Sequence, residues 1–194
     1  MNVNVNAKMK IRLAAYLQPD SIVDGDGIRT VIWTQGCKHN CPKCHNPETH
    51  DMFGGALIDC EEIKKQIKDL KNQDGITFSG GDPFYQPKEC AYLAKYIHSL
   101  GMNVWTYTGF TFEKLLEMSK NDTSIMDFLR EIDILIDGPF IFSLKNFSLL
   151  YRGSSNQRII DVKKSLELGC VVIAYQDEVE EENTFGRNNK YMFV

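Results

Sequence analysis

Apolar runs and helical stripes alternate along this chain. Four runs are rich in β-branched and aromatic residues and are bounded by glycine, aspartate or proline, which is typical of buried strands. They span residues 28–34, 75–79, 103–108 and 133–138. The run at 11–17 has the same character and also predicts a strand. Two further runs, at 157–162 and 171–176, predict strands with less regular patterns.

Helical periodicity fills the intervals between these strands. Asp59 is a suitable N-cap for a first helix. Pro87 opens a second helix, which Gly101 closes. Two more apolar stripes predict helices that begin near Phe112 and near Ile125.

The alternation of strand and helix from about residue 28 to residue 138 predicts an α/β fold with right-handed crossovers. The length leaves little room for a full eight-fold barrel. We therefore expect a partial (β/α) barrel or an open, mostly parallel sheet with helices on the outer face. We expect residues 1–194 to form one domain, with a core at about 11–162 and a C-terminal extension, 163–194, that contains the acidic run DEVEEEN.

Composition narrows the class of protein. The net charge of -4 gives no global basic field, so we expect no nucleic-acid partner. No apolar run approaches the length of a membrane span, and the N-terminus lacks the apolar region of a signal peptide. We therefore expect a cytoplasmic protein without a membrane partner, in which cysteines are thiols or metal ligands. Three scattered cysteines are expected to be ordinary buried or half-buried residues: Cys60, Cys90 and Cys170.

Three other cysteines, Cys37, Cys41 and Cys44, form a C-x3-C-x2-C triplet directly after the run at 28–34. A 4Fe–4S cluster is usually held by four thiolates, so a lone triplet would leave one iron open. A metal ion with an open coordination position can bind a substrate, as catalytic metal sites do. Zinc is an alternative, with a fourth ligand from a nearby histidine: His39, His45 or His50.

Three more unusual loops, SGGDP, YTGF and DGPF, also follow predicted strands. Ligands in open α/β sheets bind at the carboxyl ends of strands, so we expect these loops and the cysteine loop to meet at one rim. Gly80 and Gly81 would allow close backbone approach, and strand-end carbonyls beside Asp82 suit an ammonium group. Asp137 could accept bonds from ribose hydroxyls, and Arg152 could bind a ligand carboxylate. Plain turns and a solvated loop are the alternatives.

Together these motifs resemble a known family. The triplet followed by SGGDP resembles the radical S-adenosylmethionine superfamily. The similarity is closest to the activating proteins of anaerobic (class III) ribonucleoside-triphosphate reductases, and it runs from about residue 18 to residue 162. Its segments are DGDGIRTVIWTQGCKHNCPKCHNPETH, SGGDP, WTYTGF, ILIDGPF and LLYRGSSNQR.

The resemblance implies a set of ligands and contacts. Three irons of a 4Fe–4S cluster would be held by Cys37, Cys41 and Cys44, and S-adenosylmethionine would chelate the fourth iron. The methionine amino group would be received by Gly80, Gly81 and Asp82. Other cofactor contacts would come from Lys43, Cys44 and His45, with Asp137 near the ribose.

The resemblance also implies an activity. An electron from a flavodoxin-like or other one-electron donor would reduce the cluster, which cleaves S-adenosylmethionine. The 5′-deoxyadenosyl radical would then take a hydrogen from a glycine of the large catalytic subunit of the reductase. Two alternatives remain: an activase of another glycyl-radical enzyme, such as pyruvate formate-lyase, which RGSSNQR disfavours, and a zinc-binding interaction module.

Overall fold

The computed structural model describes residues 8–175, and the predicted acidic run lies outside this range. Within the described residues one sheet contains eight strands in the order β4-β1-β3-β5-β6-β7-β8, with β2 paired to β3. The strands are β1 (Lys10–Leu13), β2 (Gln18–Ser21), β3 (Arg29–Thr34), β4 (Ala56–Asp59), β5 (Gly75–Gly80), β6 (Asn103–Tyr107), β7 (Ile134–Asp137) and β8 (Arg158–Asp161).

The centre of the sheet is parallel, as predicted. Three strand pairs are parallel: β3 with β5, β5 with β6, and β6 with β7. Antiparallel strands flank them, since β1 and β2 pair with β3, β4 pairs with β1, and β8 pairs with β7. The edge strands β4 and β8 do not pair with each other, so the sheet is open. The prediction of an α/β fold with an open, mostly parallel sheet is confirmed.

Five helices connect or follow these strands in the described part of the chain: α1 (Cys60–Asp69), α2 (Pro87–Ser99), α3 (Phe112–Met118), α4 (Thr123–Arg130) and α5 (Val162–Leu168). The predicted starts of α1 and α2 are confirmed. Asp59 is the N-cap of α1 and accepts from the backbone N–H of Glu61, and Pro87 is the first residue of α2. None of the described helices is both long and apolar enough to cross a bilayer.

The helices cover one face of the sheet. Alternate strand residues, among them Ile32, Phe78 and Leu135, pack with buried residues of all five helices in one apolar cluster. The intervening positions point to the opposite face, where Trp105 and Ile136 form a smaller cluster. The expectation of helices on one outer face is therefore confirmed.

A buried arginine joins the amino ends of the parallel strands. Arg29 is 0% exposed and donates hydrogen bonds to the Thr77 hydroxyl at 2.7 Å and to the Asn103 side chain at 2.8 Å. It also donates to the carbonyl of Ile76, and its guanidinium lies 5.0 Å from the centre of the Trp105 ring. Burial lowers the pKa of Arg29 to about 10, so the side chain stays charged at neutral pH and ties β3 to β5 and β6.

Two predicted strands differ from the structure. The run at 11–17 is a strand only to Leu13, because the chain leaves the sheet after Ala14 donates to the carbonyl of Trp33. The run at 171–176 forms only an isolated bridge between Ile160 and Ile173 within the described residues. Of the three scattered cysteines, Cys60 and Cys90 are buried as predicted, but Cys170 is exposed.

One surface cluster generates a pH-dependent prediction. The His98 ring lies 2.9 Å from Asp133 and 3.2 Å from Glu131, and Lys163 also pairs with Asp133. The hydrogen bond to Asp133 raises the pKa of His98. The protonated ring therefore stabilises the folded state below the unfolded-state pKa of about 6.5, and this contribution is lost as pH rises through the higher folded pKa.

We predict that His98→Gln lowers the free energy of unfolding by up to about 1 kcal/mol near pH 6 and by less near pH 9. Urea unfolding of both proteins at each pH measures the difference. A difference that grows with pH would contradict the assignment of this cluster.

Candidate active site

The four predicted loops meet at the carboxyl ends of the parallel strands, as expected. They line a cavity of about 650 Å³, which is within the range of small-molecule sites. Its wall includes Cys37, Cys41, Cys44 and His45 from the loop after β3, Gly80, Gly81 and Asp82 after β5, Thr108 and Gly109 after β6, and Gly138 and Phe140 after β7.

The cysteine loop is folded by its own backbone. Asn40 and Lys43 adopt left-handed conformations, with φ of 50° and 57°, so the chain turns twice between Cys37 and Cys44. The Cys44 N–H donates to the carbonyl of Cys41 at 3.1 Å. All three cysteines are half-buried free thiols at the cavity wall, which is the exposure that a ligand site requires.

The donor set fits a 4Fe–4S cluster. Burial raises the pKa of the Cys37 thiol to about 11 and also raises the pKa of Cys41, and metal binding would release these protons. Among the described residues, no three His, Cys, Asp or Glu side chains form a group that could hold a single metal ion. A cluster has a different requirement, because each thiolate binds a different iron. The buried Nε2 of His50, at the same wall, has no hydrogen-bond partner among the described residues and could donate to such a group.

The two glycines after β5 are required by close packing of the chain. A Cβ on Gly80 would lie 2.5 Å from the carbonyl oxygen of Thr34, and φ at Gly80 is +95°. A Cβ on Gly81 would lie 2.5 Å from the carbonyl oxygen of Gly36, the residue before Cys37. The absence of side chains therefore lets the end of β5 lie directly against the start of the cysteine loop.

Asp82 is 1% exposed and its carboxylate is surrounded by donors. The N–H groups of Phe84 and Gly109 donate to it, each at 3.0 Å. The Thr108 hydroxyl lies 2.9 Å and 3.1 Å from its two oxygens, and His39 Nε2 lies 2.7 Å from Oδ2. Asp82 is thus part of the cavity wall, where its carboxylate connects three loops.

Lys43 and Asp137, two of the predicted cofactor contacts, do not line the cavity. The Lys43 ammonium lies 3.9 Å from the centre of the Phe142 ring. Asp137 is 1% exposed, accepts from the N–H of Phe112 at 2.7 Å and pairs with the guanidinium of Arg158. His45 does line the cavity, with its ring 4.7 Å from that of Phe140.

The RGSSNQR segment also reaches the cavity, through Arg152, Gly153 and Gln157. Gln157 holds this segment in place, because its Oε1 accepts from the N–H groups of Gly153 and Ser154 and its Nε2 donates to the carbonyl of Gly138. Arg152 donates to the carbonyl of Gln157 at 3.0 Å. Other wall residues were not foreseen as site residues: Ile22, Val23, Tyr107 and Phe147–Tyr151. Tyr107 and the residues from Leu149 to Tyr151 lie within the segments WTYTGF and LLYRGSSNQR, but no local motif marks the others.

Known proteins resemble the chain over most of its length. A family model described as "4Fe-4S single cluster domain" matches residues 23–160. Curated anaerobic ribonucleoside-triphosphate reductase-activating proteins match as well. The protein from Salmonella typhimurium is 35% identical over 147 residues, which cover 72% of this chain and 92% of that protein. The protein from Haemophilus influenzae is 34% identical over 155 residues, which cover 74% of this chain and 96% of that protein.

A more distant relative with the same name, from Enterobacteria phage T4, is 30% identical over 149 residues, which cover 74% of this chain and 90% of that protein. The crystal structure of QueE from Escherichia coli aligns over 53% of this chain and 54% of that one, with a TM-score of 0.42 and 14% identity, too partial a likeness to bear on the fold. The chain belongs to the family of anaerobic ribonucleoside-triphosphate reductase-activating proteins and carries a 4Fe–4S single cluster domain over residues 23–160.

Proposed function

We propose that this chain is a radical S-adenosylmethionine enzyme that generates a glycyl radical on the large catalytic subunit of an anaerobic ribonucleoside-triphosphate reductase. When bound and reduced, the 4Fe–4S cluster supplies the electron that cleaves S-adenosylmethionine to methionine and the 5′-deoxyadenosyl radical, which takes hydrogen from the glycine. The observation that carries the proposal is that three thiols and the carboxyl end of β5 line one cavity.

The chain's own residues bind and orient the groups that react. Cys37, Cys41 and Cys44 hold the cluster as thiolates. Backbone carbonyls at Gly80 and Gly81 accept the amino group of the methionine moiety, because these residues have no side chain to block it. The proximity of Gly81 to Gly36, beside the cysteine loop, supports this assignment.

Asp82 and Asp137, two of the predicted cofactor contacts, already accept hydrogen bonds within the protein. Both carboxylates are 1% exposed and occupied by protein donors, so each would have to give up a hydrogen bond to bind a ligand. We propose that they hold the loops that form the cavity. The predicted contacts of Lys43 with the cofactor and of Asp137 with the ribose stay predictions. Arg152 is a candidate partner for the methionine carboxylate.

A protein substrate is consistent with the cavity mouth. Several large apolar side chains line the cavity and remain exposed, including Ile22 at 72%, Val23 at 71% and Phe147 at 91%. Exposed apolar groups of this kind are typical of surfaces that bind a partner. We propose that the segment of the large subunit that contains the glycine contacts them. A flavodoxin-like electron donor, a cytoplasmic location and the lack of nucleic-acid and membrane partners stay predictions.

We predict that the full chain, reconstituted anaerobically with iron and sulfide, is brown and forms 5′-deoxyadenosine after reduction and addition of S-adenosylmethionine. Chromatography measures the product. Cys41→Ala should lose the visible absorbance and the product, because one of three thiolates is missing. Cys170→Ser should retain both, since Cys170 is exposed and outside the cavity wall. A colourless zinc protein without 5′-deoxyadenosine would reject the proposal.

We predict that Gly81→Ala lowers both the cluster yield and the affinity for S-adenosylmethionine, because the new Cβ meets the Gly36 carbonyl oxygen at 2.5 Å. Its free energy of unfolding should fall by about 1–3 kcal/mol, the usual cost of overpacking.

Gly101→Ala is the control for an added methyl group without a clash, since no atom beyond its chain neighbours lies within 4 Å of its Cβ and only the left-handed backbone opposes the change. Iron content per chain and isothermal titration measure the two effects. Full iron content in Gly81→Ala would argue against close packing of β5 on the cysteine loop.

A further inference from the structure

One side chain of the cysteine loop lines the cavity and contacts the buried carboxylate after β5. His39 lies between Cys37 and Cys41 in the chain, and its side chain is 17% exposed. Its Nε2 atom lies 2.7 Å from Oδ2 of Asp82, a residue 43 positions further along the chain. This contact joins the loop after β3 to the loop after β5.

The acceptor of this contact is itself fixed by other donors. The carboxylate of Asp82 accepts from the N–H groups of Phe84 and Gly109 and from the Thr108 hydroxyl. A carboxylate with this many donors at 1% exposure has one stable position. The His39 ring therefore contacts a rigid point at the end of the sheet.

The space for the imidazole is shaped to its ring. A Cβ on Gly109 would lie 2.5 Å from the His39 ring, so a residue with a side chain there would displace the histidine. The ring packs edge-on against Phe110, with centroids 4.4 Å apart, and lies 6.1 Å from the centroid of Tyr85. Packing and hydrogen bonding thus hold the same ring.

We propose that His39 is a positioning residue, which holds the segment from Cys37 to Cys41 against the carboxyl ends of β5 and β6 through Asp82. The hydrogen bond limits the movement of the thiols, so they are arranged before iron is bound. This proposal rests on the proposed function only in assigning the cysteines to the cluster. It assigns His39 no contact with substrate or cofactor.

Alkylation of the cluster-free full chain tests the proposal without activity as a readout. The variant is His39→Phe, which keeps a ring against Phe110 and leaves Asp82 with its three other donors, so the carboxylate stays satisfied. His39→Gln is the conservative variant, because its amide can again donate to Asp82. Iodoacetamide labelling of each cysteine is followed over time by mass spectrometry.

The chain contains its own references for this measurement. Cys170 is exposed and reports the intrinsic rate of labelling, whereas Cys60 and Cys90 are buried and report global unfolding. In His39→Phe we expect Cys37 and Cys41 to be labelled about tenfold faster than in the wild type, as for the loss of a charge-assisted hydrogen bond. Labelling of Cys90 should be unchanged, and His39→Gln should be close to the wild type.

Each other outcome overturns the proposal. Equal labelling of Cys37 and Cys41 in the wild type and His39→Phe would mean that the contact does not restrain the loop. Faster labelling of Cys90 as well would make His39 a residue of general stability. Failure of His39→Gln to restore the wild-type rate would remove the role of the hydrogen bond.

A second arm uses the reconstituted full chain. Release of iron to a chelator should be about tenfold faster from His39→Phe than from the wild type and near the wild-type rate in His39→Gln. Equal release from all three proteins would overturn the proposal. If the wild type binds no iron, the proposed function fails, but the labelling of the cluster-free chain still decides the role of His39.

Discussion

The arrangement of the cavity depends on a buried carboxylate at the end of β5. Burying a charge costs free energy unless donors surround it, and Asp82 is surrounded by donors from three segments of the chain. The loop after β3 contributes His39, the loop after β6 contributes Thr108 and Gly109, and the turn after Asp82 contributes Phe84. Because donors from all three segments converge on the same carboxylate, one group sets the relative positions of three loops.

A second buried charge acts at the opposite end of the same strands. Arg29 joins β3, β5 and β6 at their amino ends through Thr77, Ile76 and Asn103. The parallel strands are therefore held at both ends, by a cation at one end and by an anion at the other. A sheet fixed in this way provides a stiff base for the cysteine loop.

The sequence predicted the parts of the fold that local pattern controls. The buried central strands are continuous apolar runs in the sequence. Helix starts are marked by Asp59, whose side chain caps α1, and by Pro87, the first residue of α2. The sequence did not predict β2 or β4, because Gln18–Ser21 and Ala56–Asp59 are short edge segments whose pairing is decided by their neighbours.

The cavity could likewise be predicted only in part. Motifs after strands identified four of its loops, but a motif does not reveal whether a carboxylate is free. Asp137 pairs with Arg158, 21 residues away, and Asp82 contacts His39, 43 residues away. Such distant partners follow from strand order and not from spacing in the sequence. For the same reason, spacing in the sequence could not predict that Ile22, Val23 and Phe147 line the cavity.

The central claim is that the cavity directs radical chemistry to a glycine of the reductase. Electron paramagnetic resonance of the large catalytic subunit, after anaerobic incubation with the reconstituted chain, a reductant and S-adenosylmethionine, tests it most directly. We predict a glycyl-radical signal that requires all four components and is absent with Cys41→Ala. Formation of 5′-deoxyadenosine without any signal on the reductase, together with a signal on a different glycyl-radical enzyme, would contradict the claim.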